Sequence, residues 1–191
     1  MKSIGKMTQA ELATYVQAHL QKRGVTVILS GGAAVSIYTD NQYVSADIDL
    51  VDVNFVKRKK IIDAMEDIGF CETNRYFKHP DTRHIVEFPP GPLSVGDEPV
   101  RSINEVKFST GILKVISPTD CVKDRLAAYY YWNDQQSLTQ ALLVAKYQRV
   151  GLTEIKRWSL STGKKQEFQI FLKKHSKKGK SDAREGSTNV L

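Results

Sequence analysis

Residues 25–52, VTVILSGGAAVSIYTDNQYVSADIDLVD, are the stretch on which the reading of the whole chain turns. Val25, Val27, Ile28 and Leu29 form an apolar, β-branched run that predicts a buried strand. The run stops at Ser30-Gly31-Gly32. Two glycines after a strand permit a tight turn and let a ligand approach the backbone closely. Ala33 to Tyr38 are compatible with a helix, so the free amides of a helix N-terminus would face whatever lies over the glycines. That is an anion site suited to phosphate. Further on, Ser45-Ala46-Asp47-Ile48-Asp49-Leu50 predicts a second short strand. Residues two apart on a strand share a face, so Asp47 and Asp49 point one way while Ile48 and Leu50 face the core.

Two carboxylates side by side repel each other, and a divalent cation resolves the conflict. Mg²⁺ prefers carboxylate and phosphate oxygens and binds through one or two carboxylates plus the phosphates of a substrate. Each half alone fits a loop glycine pair or a solvated surface strand; together they indicate a site for Mg²⁺ (or Mn²⁺) and a nucleotide. In order and spacing, Ser30-Gly31-Gly32 and Asp47-Ile48-Asp49 resemble the signature of the DNA polymerase β-type nucleotidyltransferase superfamily.

At 191 residues the chain is long enough to bury a real core, and no apolar run is long enough to span a bilayer. The N-terminal MKSIGKMTQAELATYV has no apolar h-region, which points to a cytoplasmic protein. Cys71 and Cys121 sit in apolar-patterned segments without metal-ligand spacing and are expected as reduced core thiols. The formal net charge of +7 leans toward a polyanionic partner. About four of those charges lie from Lys173 onward, so the body of the domain is only mildly basic.

Around the central stretch, residues 8–23 predict an amphipathic helix opened by a Thr8/Glu11 capping box. Asn54 is placed to cap a helix from about Phe55 to Ile68, closed by Gly69. Lys57, Arg58, Lys59 and Lys60 near its start read either as a solvated face or as a groove for a phosphate backbone. Residues 70–77 and 83–88 predict a β-hairpin across His79-Pro80-Asp81-Thr82. PPGPLSVGDEP, residues 89–99, is a loop that would border the site. A second hairpin follows, Ile103–Phe108 and Ile112–Ile116.

Polymerase β-type transferases carry a third carboxylate on a strand beside the Asp-x-Asp pair, and the resemblance assigns that place to Glu87. An edge-strand acid in water is the plain alternative, with Asp97 and Glu98 as rivals. Ser117-Pro118-Thr119-Asp120 is a strong helix start, and a second helix opens near Asp134. The text SPTDCVKDRLAAYYYWNDQQSLTQALLVA resembles the helical segment of abortive-infection (AbiE-type) toxin nucleotidyltransferases and their relatives. The resemblance implies that Lys123 and Asp134 reach toward the nucleotide, with Arg125 near the triphosphate. The nucleotide-binding candidates are thus Ser30, Gly31, Gly32, Ser45, Lys123, Arg125 and Asp134. In the aromatic run Tyr129 to Trp132, part is expected in the core and one ring is free to stack on a base. Two amphipathic helices, about 153–160 and 164–173, come next.

The expected architecture is α+β: a mixed sheet with the carboxylates on one face, helices on the other, and a C-terminal helical part. Residues 1–116 would form the core, 117–175 the helical part and 176–191 a disordered basic tail. The resemblance implies two-metal transfer of a nucleotidyl group from an NTP to a hydroxyl. Asp47, Asp49 and Glu87 would hold the ions. Three readings compete: an enzyme acting on RNA, with a tRNA 3′ end as the acceptor the resemblance suggests; one acting on a protein hydroxyl in a toxin–antitoxin pair, with a cognate antitoxin as partner; and a non-catalytic nucleotide- or RNA-binding module.

Overall fold

Thr8 opens the first helix, α1 (Gln9–Lys22), by the capping box that the sequence predicts. Its hydroxyl accepts from the Glu11 amide, and the Glu11 carboxylate accepts from the Thr8 amide. In the computed structural model, which describes residues 2–185, the chain then runs through β1 (Val27–Ser30), α2 (Gly31–Tyr38) and β2 (Asp47–Asp52). Next come α3 (Arg58–Glu66), β3 (Cys71–Thr73), β4 (Tyr76–Lys78), β5 (Ile85–Glu87) and a small hairpin, β6 (Ser94–Val95) with β7 (Glu98–Pro99). β8 (Ile103–Phe108) and β9 (Gly111–Ile116) close the sheet. Four helices follow: α4 (Pro118–Trp132), α5 (Gln135–Tyr147), α6 (Leu152–Ser161) and α7 (Lys165–Glu185).

Seven strands form one mixed sheet in the order β3-β4-β5-β2-β1-β9-β8. β1 is antiparallel to β2 and parallel to β9, and β2 is parallel to β5. The α+β class is therefore the observed one. α1 packs on β1 and β9, and α3 lies beside it against β3. Strand alternation sends Ile48, Leu50, Phe77 and Val86 into this core, all fully buried. Asp47, Asp49 and Glu87, on the other face, are half-buried.

Three local expectations are corrected. Asn54 does not cap α3; the helix begins at Arg58, and Lys57 at the cap position makes no side-chain bond. Asn54 instead reaches back to β1, accepting from the Thr26 amide at 2.5 Å. The turn is held by the Asp52 carboxylate, which accepts from the amides of Asn54 (2.8 Å) and Val56 (2.7 Å). The expected strand 70–77 is broken by a tight turn at Asn74-Arg75, whose φ values of 50° and 74° suit a two-residue hairpin. It therefore supplies two strands, and β5 pairs with the second. Cys121 is a buried free thiol as expected, but Cys71 is exposed, because its side of β3 carries no helix.

The helical part packs as a continuation of the same core. Ser117 caps α4, accepting from the Asp120 amide, with Pro118 at the first helical position. Asn133, in the left-handed region at φ 53°, ends that helix. Of the aromatic run, Tyr129 and Tyr130 are buried, Tyr130 stacked on Trp158 at 5.6 Å, while Tyr131 and Trp132 are exposed. The Tyr38 hydroxyl at the end of α2 donates to the Ile116 carbonyl at 2.7 Å, and Gln148 donates to the Tyr38 carbonyl at 2.8 Å. α7 continues to Glu185, past the point where the disordered tail was expected to begin. Phe168 and Phe171, both buried, anchor its first turns. Residues 186–191 of that expected tail lie outside the described residues.

Candidate active site

The strand-to-helix turn at Gly31 is built around Asp49. Ser30 pairs with Asp49 in the antiparallel β1–β2 register, so the two side chains stand on one face. Gly31 takes φ +63°, a conformation that glycine adopts at no steric cost. A Cβ at Gly31 would come within 1.9 Å of Asp49 Oδ2, so the carboxylate occupies the space a side chain would need. A Cβ at Gly32 would meet Ser45 Oγ at 2.7 Å. Ser45 is fixed in turn, its amide donating to Ser36 Oγ at 3.0 Å and its hydroxyl accepting from the Asp47 amide at 3.3 Å. Both glycines thus make room for the strand opposite. The Ser30 hydroxyl makes no cap bond to α2.

Glu87 is the direct cross-strand partner of Asp49 in the parallel β2–β5 register, so the sheet brings the two acids side by side. Asp47 lies one pleat away on the same face, beside Ile85. Burial, and then the neighbouring Glu87 charge, push the Asp49 carboxyl up to about 6. Its carboxylate takes no hydrogen bond from any described group. Among the described residues, no three Asp, Glu, His or Cys side chains stand close enough together to hold an ion as they are. The donor chemistry nevertheless fits Mg²⁺ or Mn²⁺: hard oxygens only, like charges side by side, and one carboxylate without a donor. Asp97 is exposed, and Glu98 is turned to Arg157, so neither rival stands with the pair.

A cavity of about 330 Å³ opens over this corner, lined by Ser30, Gly31, Asp49, Pro89, Asp124 and Arg125 among others. The proline-rich loop borders it as the sequence suggests. Arg125 faces it from α4, clamped by the Asp124 carboxylate through Nε (2.9 Å) and Nη2 (2.5 Å). Asp124 is the residue that the sequence reading missed; nothing but its place beside Arg125 marks it.

Lys123 is not in this cavity. It lines a separate one of about 710 Å³ on the far side of the β6–β7 hairpin. There it is buried among Glu154 (3.2 Å), Asp120 (3.4 Å) and Glu98 (3.6 Å), with Trp158 beneath its ammonium. Two residues apart on a helix means roughly 200° of rotation, so Lys123 and Arg125 look in nearly opposite directions. Asp134 is occupied as the cap of α5, accepting from the amides of Gln136 (2.9 Å) and Ser137 (3.2 Å). It does not line the Asp49 cavity.

No family model matches the chain, and no curated protein matches it in sequence. Solved structures do match in shape. A nucleotidyltransferase-like antigenic protein from Paracoccidioides brasiliensis superposes with a TM-score of 0.58 at 17% identity, covering 90% of each chain. The crystal structure of ANT(2″)-Ia in complex with adenylyl-2″-tobramycin gives 0.55 at 16% identity, covering 88% of this chain and 99% of the other. The lincosamide antibiotic adenylyltransferase LnuA, lincomycin-bound, gives 0.51 at 19% identity, covering 74% and 99%. The strand, glycine turn and paired-acid corner described above therefore stand in a nucleotidyltransferase fold.

Proposed function

We propose that the protein transfers a nucleoside monophosphate from an NTP to a hydroxyl group, with pyrophosphate leaving. The observation that carries this reading is the Asp49 carboxylate seated directly over Gly31 with Glu87 beside it. It places a charge-hungry oxygen cluster against the free amides that open α2, where a triphosphate and its counter-ion would meet.

In this reading the α2 amides at Gly31 and Gly32, the Ser30 and Ser45 hydroxyls and the Arg125 guanidinium bind the phosphates. Asp47, Asp49 and Glu87 would hold Mg²⁺ or Mn²⁺, which when bound neutralises charge on the reacting phosphate oxygens. The acceptor oxygen forms a bond to the α-phosphorus while the bond from that phosphorus to the bridging oxygen of the β-phosphate breaks. The electron pair leaves with pyrophosphate. Glu87 takes the proton of the acceptor hydroxyl. Arg125, held by Asp124, faces the charge that develops on the leaving group.

Net charge favours RNA as the acceptor, and Lys57, Lys59, Lys60, Arg75, Lys78 and Arg83 are all exposed. The AbiE-type resemblance extends this to a tRNA 3′ end in a toxin–antitoxin or phage-defence setting, with protein as the alternative acceptor and an antitoxin as partner. A second reading, transfer to a hydroxyl of a small antibiotic, is favoured by two structural neighbours, one in complex with adenylyl-2″-tobramycin and one lincomycin-bound. The experiment is label transfer from each α-labelled NTP, with Mg²⁺, to total tRNA, lysate protein, tobramycin or lincomycin. Label on RNA supports the first reading. Label on no acceptor with any NTP overturns nucleotidyl transfer.

A further inference from the structure

The strand registers align a row of side chains across five strands. Thr73 pairs with Tyr76, Tyr76 with Glu87, Glu87 with Asp49, and Asp49 with Ser30. Residues directly opposite in a sheet point to the same side, and in antiparallel pairs their Cβ atoms lie about 4.5–5.5 Å apart. The row therefore runs without interruption from the glycine turn to the sheet edge. Beside it, Cys71 pairs with Lys78 on the same face. Alternation keeps Phe77 fully buried on the helix side, whereas Tyr76 is 39% exposed and Thr73, Lys78 and Cys71 are exposed. Among the described residues, this end of the face stays open to solvent.

Tyr76 is thus an open aromatic ring set against Glu87. It makes no ring contact with any described aromatic or cationic group, and its hydroxyl has no hydrogen-bond partner among the described residues. Lys78 stands two residues along the same strand face, and Arg83 precedes β5 two pleats before Glu87, while Arg75, in the turn, lines the cavity on the helix side with Arg58 and Glu72. None of the three has an ion-pair partner among the described residues. An aromatic ring on an open sheet face, with cations interleaved, is how proteins hold single-stranded nucleic acid: the ring stacks on a base and the cations meet phosphates. The same cations disfavour a polycationic antibiotic on this face.

We infer that the open face of β3, β4 and β5 is the acceptor platform, on which Tyr76 stacks a base near the 3′ end of a single-stranded RNA and delivers its terminal hydroxyl to Glu87. This rests on the proposal that Asp49 and Glu87 are the reacting centre, and it adds the class of acceptor and the residue that positions it.

The test uses a short single-stranded RNA with a free 3′ hydroxyl and the full chain. Cys71 is exposed on the platform and Cys121 is buried, so a maleimide reports on Cys71 alone. Saturating RNA is expected to slow Cys71 labelling several-fold, with tobramycin giving no protection. Tyr76→Ala is expected to raise the RNA Kd roughly tenfold, and Tyr76→Phe to restore it. The KM for RNA in label transfer should follow the Kd while the KM for NTP stays put. RNA that leaves Cys71 labelling unchanged, a Tyr76→Ala variant that binds like wild type, or protection by tobramycin alone overturns the platform. If nucleotide transfer still occurs, only the platform has failed. RNA protection with no transfer to any acceptor means that the reaction has failed and the binding face stands.

Discussion

Gly31 and Asp49 share one volume: the carboxylate of Asp49 fills the place where a side chain at Gly31 would begin. A small substitution at the glycine is therefore a substitution at the acid. Gly31→Ala must accept φ +63° and displace the carboxylate. We expect a loss of roughly 1–3 kcal/mol from the backbone alone, read as a lowered Tm. Label transfer should fall far more than stability does. Wild-type turnover in Gly31→Ala would show that Asp49 need not sit there.

Asp49 should make stability depend on pH in an unusual direction. Its folded pKa of about 6 lies above the ordinary value of 3.8. Between those two values the folded protein keeps a proton that the unfolded chain has lost, so stability falls as the pH rises through the window. Asp49→Asn should therefore be more stable than wild type at pH 7.5, by on the order of 3 kcal/mol, and the gain should vanish near pH 4. Thermal melts across that range decide it. Mg²⁺ should raise the wild-type Tm above pH 6 and do little to Asp49→Asn.

Glu87→Gln removes one of the charges that raise Asp49 while keeping its shape. The pH midpoint of the stability change should move down, and the Mg²⁺-dependent rise in Tm should shrink. If Glu87 accepts the proton of the hydroxyl, kcat falls by two or more orders of magnitude with NTP binding largely kept. A kcat like that of wild type removes Glu87 from the chemistry.

Arg125 and Lys123 separate nucleotide contact from architecture. Arg125→Ala should raise the KM for NTP at a temperature where the variant is folded, since the side chain faces the Asp49 cavity. Lys123→Met leaves the buried Asp120 carboxylate without its cation, while Arg157 still holds Glu98 and Glu154, and should cost about 1–3 kcal/mol. Its KM for NTP should stay unchanged at a temperature where it is folded. The reverse pattern would put Lys123 in the nucleotide site.

These two residues also show how far a sequence can be read. The glycine turn, the Asp-x-Asp strand and the hairpin from Ile103 to Ile116 rest on local rules: turn chemistry, alternation and apolar runs. They are legible because each rule acts over a few residues. Which side of α4 meets the cleft is set by the β6–β7 hairpin packing against it, and no periodicity in the helix records that. Lys123 and Arg125 read alike as candidates although Arg125 alone of the two faces the cavity, and Asp124 went unnoticed between them. The turn at Asn74-Arg75 escaped for a different reason. Arginine at a positive φ lacks the glycine that usually advertises such a turn, and without that turn the pairing of Tyr76 with Glu87 is invisible.

The clasp at Tyr38 gives the two ends of α2 a common fate. One end carries the glycines; the other is tied through a hydroxyl to the last residue of β9 and through a carbonyl to the residue just after α5. A chain cut after Ile116 would strip Gln148 from that carbonyl and bare the apolar flank of α2. The helix would then be free to rock on its strand, and the amides at its start would lose their aim. The glycine turn is in this sense held by a residue more than a hundred positions away, and the helices that follow the sheet act as its splint.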